Sequence, residues 1–189
     1  MSASNLSHIL LCAGSVAEWR STSVEDWRVR LELLARTAHS GGAAWATLVP
    51  STGGDIGEAE DIRSTLVAHC GGVRYAERVV VLEEGGVTVI VDVGADGKQR
   101  IANAVNRLEP SDITEERLAA AISAPAPSEP DLVIVLGKPT ELPHSLVWEL
   151  AYAEMVFFDT QWQALDAEHL EMAINDFTRR DRRFGGVDS

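Results

Sequence analysis

Asp131-Leu-Val-Ile-Val-Leu136 is five apolar residues behind one acid, with Gly137 directly after them. The run has the length of a strand, and its unbroken hydrophobicity suits a strand covered on both faces, as in a parallel sheet. Before it, Ala124-Pro-Ala-Pro-Ser-Glu-Pro130 reads as a loop and not as an interdomain linker, because the run that follows needs partner strands. Further out the pattern repeats. His8-Ile-Leu-Leu-Cys-Ala13 ends at Gly14, and residues 43–49 end at Pro50; both read as buried strands. Two more apolar runs, 79–82 and 87–93, flank Glu83-Glu84-Gly85-Gly86.

Helical spacing fills the gaps. Val24, Trp27, Leu31 and Leu34 predict an amphipathic helix over 23–39, stopped by Gly41-Gly42. Residues 58–69 read as a helix with Ile62, Leu66 and Val67 inward, and Ile101, Val105 and Leu108 mark the inner face of the next. Residues 111–114 open a short one. The mostly apolar stretch 145–156 reads as a helix covered on several sides. Asp166 is placed to cap the last helix, with Leu165 and Leu170 as its hydrophobic staple and Leu170, Ile174 and Phe177 as its inner face. Strands alternating with helices predict an α/β, single-domain layered fold over residues 1–189, with a mainly parallel central sheet flanked by helices.

The composition narrows the function classes. A formal net charge of -13 opposes binding to a phosphate polyanion unless the basic residues are segregated. The one dense basic cluster, Arg179, Arg180, Arg182 and Arg183, has Asp176 and Asp181 interspersed, so no nucleic-acid partner is expected. Cys12 and Cys70 form no CxxC pair, which argues against structural zinc and is compatible with a reducing cytoplasm. Residues 9–13 are too short for a signal peptide, and no apolar run approaches the roughly 18 residues of a membrane span. Gly94-Ala-Asp-Gly97-Lys98 lacks P-loop spacing and reads as a structural turn; Thr52-Gly-Gly-Asp-Ile-Gly57 reads as a flexible one. The five histidines show no HxH or HxxxH pairing; His144 is a loop histidine.

The carboxyl-terminal third carries a more specific signal. Trp148-Glu-Leu-Ala-Tyr-Ala-Glu154 is followed by Phe157-Phe-Asp-Thr-Gln-Trp162, Asn175-Asp-Phe177 and Arg179-Arg-Asp-Arg-Arg-Phe-Gly-Gly186. In this order and spacing they closely resemble the end of the cis-prenyltransferases, the undecaprenyl diphosphate synthase family. Pro130-Asp-Leu-Val-Ile134 resembles the strand before that family's substrate loop, residues 87–101 its central strand and following helix, and His8–Gly14, more weakly, its first strand. The resemblance is strong over 87–186 and implies an undecaprenyl diphosphate synthase-like fold.

It also marks what is missing. The family's first strand ends in Asp-Gly, whose aspartate binds magnesium and the allylic diphosphate. Here Ala13-Gly14 or Gly14-Ser15 stands at that place, and under either alignment the aspartate is replaced by Ala13 or Gly14, neither of which supplies the carboxylate oxygens magnesium takes. After the Pro-Asp-Leu strand the family uses two arginines and a serine to bind isopentenyl diphosphate; Val135, Glu141 and Pro143 stand there instead. Two features survive. Glu154 aligns with a carboxylate near the family's metal, and Arg183-Phe184-Gly185 matches its terminal Arg-x-Gly motif, which reaches across the dimer to the partner's diphosphate. Trp148 and Phe157-Phe158 read as core or dimer interface rather than as a prenyl pocket.

The departures resemble the accessory subunits of two-component cis-prenyltransferases, the Nogo-B receptor type, as do Asp96-Gly97-Lys98 and Leu136-Gly137-Lys138-Pro139. The resemblance implies a subunit inactive alone. It would pair with an intact homologue, or with itself, and give Arg183 and Gly185 to a site handling isopentenyl and allylic diphosphates. Magnesium is expected only in the assembled complex and no cofactor for the chain alone. The protein is expected in the cytoplasm, meeting a membrane through its partner or product. Two rival readings stand beside this one: an active prenyltransferase of altered substrate chemistry using Glu154, and a non-catalytic homodimer that binds a prenyl diphosphate or a protein.

Overall fold

The computed structural model describes residues 6–53, 56–94, 96–151 and 153–184, of which 56, 112 and 181–184 by backbone alone. Strands β1 (His8–Cys12), β2 (Trp45–Val49), β3 (Val73–Arg74), β4 (Val79–Glu84), β5 (Val87–Asp92), β6 (Leu132–Leu136) and β7 (Glu154–Phe158) form one sheet, in the order β3-β4-β5-β2-β1-β6-β7. From β5 to β7 the pairing is parallel throughout; β4 runs antiparallel to both β5 and β3. The predicted α/β class with a mainly parallel sheet therefore holds. The antiparallel step follows from a two-residue turn. Gly85 and Gly86 take φ values of 55° and 84°, the left-handed pair that a tight hairpin asks for.

The pleat sends alternate side chains of β1 to opposite faces. Ile9 and Leu11 join the large core with Ala46, Leu48, Val89, Val91 and Ile134. That face is covered by α1 (Val16–Ser21), α2 (Val24–Gly41), α3 (Ile56–His69) and α6 (Ala167–Phe184). Leu10 and Cys12 face the other way, into a smaller cluster with Val49, Val133, Val135 and Leu146. Over this second face lie α4 (Gly97–Val105) and α5 (Glu115–Ser123), separated from the sheet by a cavity of about 250 Å³.

Several expected signals act as read. Gly42, with a φ of 97°, ends α2 in the left-handed conformation, and Asp166 caps α6 by accepting the His169 N–H at 3.1 Å. Trp27, Leu31 and Leu34, and Leu170, Ile174 and Phe177, are buried as predicted. Ile62 and Leu66 point inward on α3, but Val67 is 37 % exposed, one residue off their stripe.

The stretch 145–156 departs from expectation. Among its described residues it is not an α-helix: they form a 3-10 turn, Glu149–Ala151, and then the edge strand β7. A mostly apolar run with only two acids, Glu149 and Glu154, carries too weak a period to separate helix from strand. Here the open edge of β6 decides, with Met155-Val156-Phe157-Phe158 suited to pair along it. Polarity along the stretch is also inverted, since Glu149 is 3 % exposed and Leu150 43 %. The inner face of α4 differs as well. Arg100 and Ala104 are buried, while Ile101, Val105 and Leu108 are half-buried.

Candidate functional site

The carboxyl ends of the parallel strands form the crevice in which open α/β sheets place ligands. At the end of β1, Ala13 is fully buried and Gly14 has a φ of 67°. A Cβ on Gly14 would come within 3.0 Å of Trp162 Cβ and 3.2 Å of Trp19 Nε1. The indole N–H of Trp19 donates to the Ala13 carbonyl at 2.8 Å. Trp19, Trp27 and Trp162 pack together beneath this turn with ring centroids 5.5–6.0 Å apart.

The backbone beyond Gly14 is occupied from within. Glu18 Oε2 accepts the Ser15 N–H at 2.8 Å and the Ser15 hydroxyl at 2.9 Å, while Ser15 Oγ accepts the Glu18 N–H at 3.2 Å. The Val16 N–H donates to the Thr52 carbonyl at 3.2 Å. From the facing loop, the backbone N–H and hydroxyl of Ser51 donate to the Gly14 carbonyl at 2.7 and 2.6 Å. Burial would raise the Glu18 pKa, but the bonds from Ser15 and Gln163 outweigh it and hold the carboxyl below the usual range. An internal carboxylate thus sits where a bound anion would meet these donors.

None of the three second-site positions, Val135, Glu141 and Pro143, offers a cation to a phosphate. Cys12 pairs with Val135 in the ladder, so the ends of β1 and β6 lie side by side, but Val135 is 1 % exposed and turned into the small core. Glu141 is exposed, with its N–H on the Lys138 carbonyl at 3.1 Å, and the Pro143 carbonyl accepts from Leu146. Burial pushes the Cys12 thiol up to about 12, so it is no nucleophile at neutral pH.

Glu154 lies elsewhere. In the ladder it pairs with Leu132, and Leu132 with Ile9, at the amino ends of these strands. It is separated from the end of β1 by two strand spacings and by roughly 10 Å of strand rise. Arg180 Nη1 stands 2.8 Å from its Oε1, as an ion pair without a hydrogen-bonding angle. The Arg180–Glu154 pair sets the last turns of α6 beside the start of β7, at the amino end of that strand. The side chain of Arg183, and Gly185 altogether, lie outside the described residues. Magnesium does not fit the end of β1: Glu18 is turned onto Ser15 and Glu154 is remote. Among the described residues no cluster of three His, Cys, Asp or Glu side chains is suited to a metal.

Sequence reasoning missed a buried ionic group on the second face. Arg100 Nε lies 3.3 Å from Asp92 Oδ2, and its Nη1 donates to Glu149 Oε1 at 2.9 Å and to the Ser145 carbonyl at 3.0 Å. Burial alone would weaken the Arg100 charge, but Glu149 and Asp92 outweigh it and raise its pKa above the ordinary arginine value. One signal was present: Glu149 is a lone acid in an apolar stretch, and a buried carboxylate needs a cation. Of the Gly94–Lys98 stretch, expected to be a structural turn, residue 95 lies outside the described residues, and the rest opens α4. Asp96 Oδ1 accepts the N–H groups of Lys98 and Gln99 at 2.9 and 3.2 Å, and Gly97 N–H donates to the His144 carbonyl. The Thr52–Gly57 turn falls partly outside the described residues.

Residues 56–185 match the prenyltransferase family described as undecaprenyl diphosphate synthase. Over 141 residues the chain is 33 % identical to isoprenyl transferase 2 of Bradyrhizobium diazoefficiens, covering 70 % of this chain and 54 % of that protein. It is 40 % identical over 93 residues to the farnesyl-diphosphate-specific ditrans,polycis-undecaprenyl-diphosphate synthase of Yersinia pseudotuberculosis, covering 48 % of this chain and 37 % of that one. Lavandulyl diphosphate synthase from Lavandula x intermedia, solved in complex with dimethylallyl diphosphate, is similar in fold. Its TM-score is 0.60 at 13 % identity, with 92 % of this chain and 95 % of that chain covered. The chain spans about half the length of the curated relatives it matches. No helix among the described residues is long and apolar enough to cross a membrane.

Proposed function

The chain belongs to the undecaprenyl diphosphate synthase family of cis-prenyltransferases, and we propose that it works there as a catalytically degenerate accessory subunit. It pairs with an intact homologue, in the cytoplasm, and supplies Arg183 and Gly185 to the partner's diphosphate site. Magnesium and the isopentenyl and allylic diphosphates belong to that assembled site.

The observation that carries this reading is the Glu18–Ser15 contact. A diphosphate at the end of β1 would meet a carboxylate already seated on the donors it needs, with Ala13 or Gly14 where the family has aspartate. Val135 and Glu141 add a second gap, one buried and one of the wrong sign. The end of α6 supports the in-trans role, because Arg180 ties it to Glu154 at the amino ends of the strands.

Two measurements test the proposal together. The purified chain, given radiolabelled isopentenyl diphosphate, an allylic diphosphate and magnesium, is expected to give no elongation. Co-expressed with an intact homologue, it is expected to co-purify with it. Turnover by the chain alone comparable to an intact homologue's would overturn the reading, and so would failure to associate.

A further inference from the structure

The buried polar side chains are not scattered through the core. His8, Thr47, Asp92, Arg100 and Glu149 all line the cavity of about 250 Å³ beneath α4 and α5. Among the described residues, the other buried polar side chains are Thr37 and Ser145. The space lies on the sheet face opposite the three packed tryptophans, and none of Ala13, Gly14 and Ser15 borders it. Arg107 roofs it, donating to the Asn103 and Ala121 carbonyls at 3.3 and 2.8 Å and so tying the end of α4 to α5. Cavities that stay empty are apolar, whereas a concave space with convergent polar groups is what a small molecule needs. A cavity of roughly 150 Å³ holds benzene, so the occupant is of about that size or somewhat larger.

The charges around it balance. Among the described residues, Arg78, Arg100 and Arg107 stand against Glu77, Asp92 and Glu149, so the space favours neither a simple anion nor a simple cation. Most of these groups are committed, Arg100 to Asp92 and Glu149 and Arg107 to its two carbonyls. One of each sign is not. Arg78 has only Asp92 Oδ2 at 3.4 Å, an oxygen that Arg100 also approaches at 3.3 Å. Glu77 is exposed at the rim and has no partner among the described residues. Asn103 gives its side-chain oxygen to Gln99 at 2.9 Å and keeps its amide N–H donors. Leu10, Ile90 and Ile122 add an apolar wall. A guanidinium and a carboxylate on neighbouring residues, beside an apolar wall, match a molecule that carries both charges and a short aliphatic group.

We propose that this cavity binds a free amino acid with a small aliphatic side chain, its carboxylate on Arg78 and Asn103 and its ammonium on Glu77. No diphosphate, partner subunit or Arg183 enters the site. It is therefore tested with the purified protein alone, and its failure leaves the accessory-subunit reading standing.

The test is titration calorimetry with four compounds: L-valine, isovalerate (valine without its ammonium), isobutylammonium (valine without its carboxylate) and glycerol. Valine is expected to bind about tenfold or more tightly than the other three, the scale of one charge-assisted hydrogen bond. Arg78→Gln should weaken valine and isovalerate together. Glu77→Gln should weaken valine by about tenfold and leave isovalerate unchanged. Glu77 is exposed, so this variant keeps the test valid if Arg78→Gln does not fold. No binding of valine at millimolar concentration would overturn the proposal. So would isovalerate, isobutylammonium or glycerol binding as tightly as valine, or unchanged valine affinity in either folded variant.

Discussion

Glu18 folds back on Ser15 so that one carboxylate oxygen takes both the backbone N–H and the hydroxyl of the same residue, at 2.8 and 2.9 Å. The turn after β1 is thereby a closed capping box at the start of α1. Glu18→Ala is expected to cost about 1 kcal/mol of stability, the usual scale of a lost cap. The contact is half-buried and sets an acid at the start of a helix, so the effect should shrink modestly with added salt. Urea denaturation at low and high ionic strength checks both statements.

The buried Arg100 group should be far less forgiving. Arg100→Met leaves Asp92 and Glu149 without their shared cation and is expected to destabilise by about 3–5 kcal/mol. Glu149→Gln keeps a hydrogen-bond acceptor for Arg100 and already has one oxygen without a partner, so its cost should be clearly smaller. Denaturant midpoints of the two variants test that ranking, and equal costs would contradict it.

These two sites show what the sequence could and could not reveal. Ser15-x-x-Glu18 is a legible capping signature, yet it lies directly after a strand and starts a helix too short to announce itself by periodicity. The strands β1, β2, β5 and β6 were readable because apolar runs bounded by Gly or Pro have few alternatives. Strand β7 was not, since Leu146, Met155 and their neighbours fit a helix equally well and the choice was made by the free edge of β6. Arg100 is buried by acids 8 residues before it and 49 after it, a contact that no local window contains.

His8 gives a pH signature. The Ser128 carbonyl can only accept, so Nδ1 carries the proton in that 2.9 Å contact, and Nε2 accepts from the Thr47 hydroxyl at 2.8 Å. Burial lowers the His8 pKa, outweighing the opposing pull of Ser128 and Asp131. With the folded value below the unfolded one, stability is full above the unfolded range. It falls as pH drops through that range toward the folded pKa. Between pH ~7 and ~5.5 the unfolding free energy from urea titration should decline, by no more than about 1.4 kcal/mol per pH unit for one proton. His8→Gln should flatten that slope; an unchanged slope in the variant would show that other groups cause it.

The accessory-subunit account rests most directly on Arg183, at the end of α6. Because Leu170, Ile174 and Phe177 supply the core contacts of that helix, Arg183→Ala should change stability by about 0.5 kcal/mol or less. The decisive measurement is the isopentenyl-transfer rate of the complex with an intact homologue, comparing wild type and Arg183→Ala at matched assembly. A guanidinium on a diphosphate is worth about 1.5–3 kcal/mol, so a loss of roughly tenfold to a hundredfold in kcat/KM is predicted, with association intact. An assembled complex whose rate and KM for isopentenyl diphosphate do not change would contradict the account.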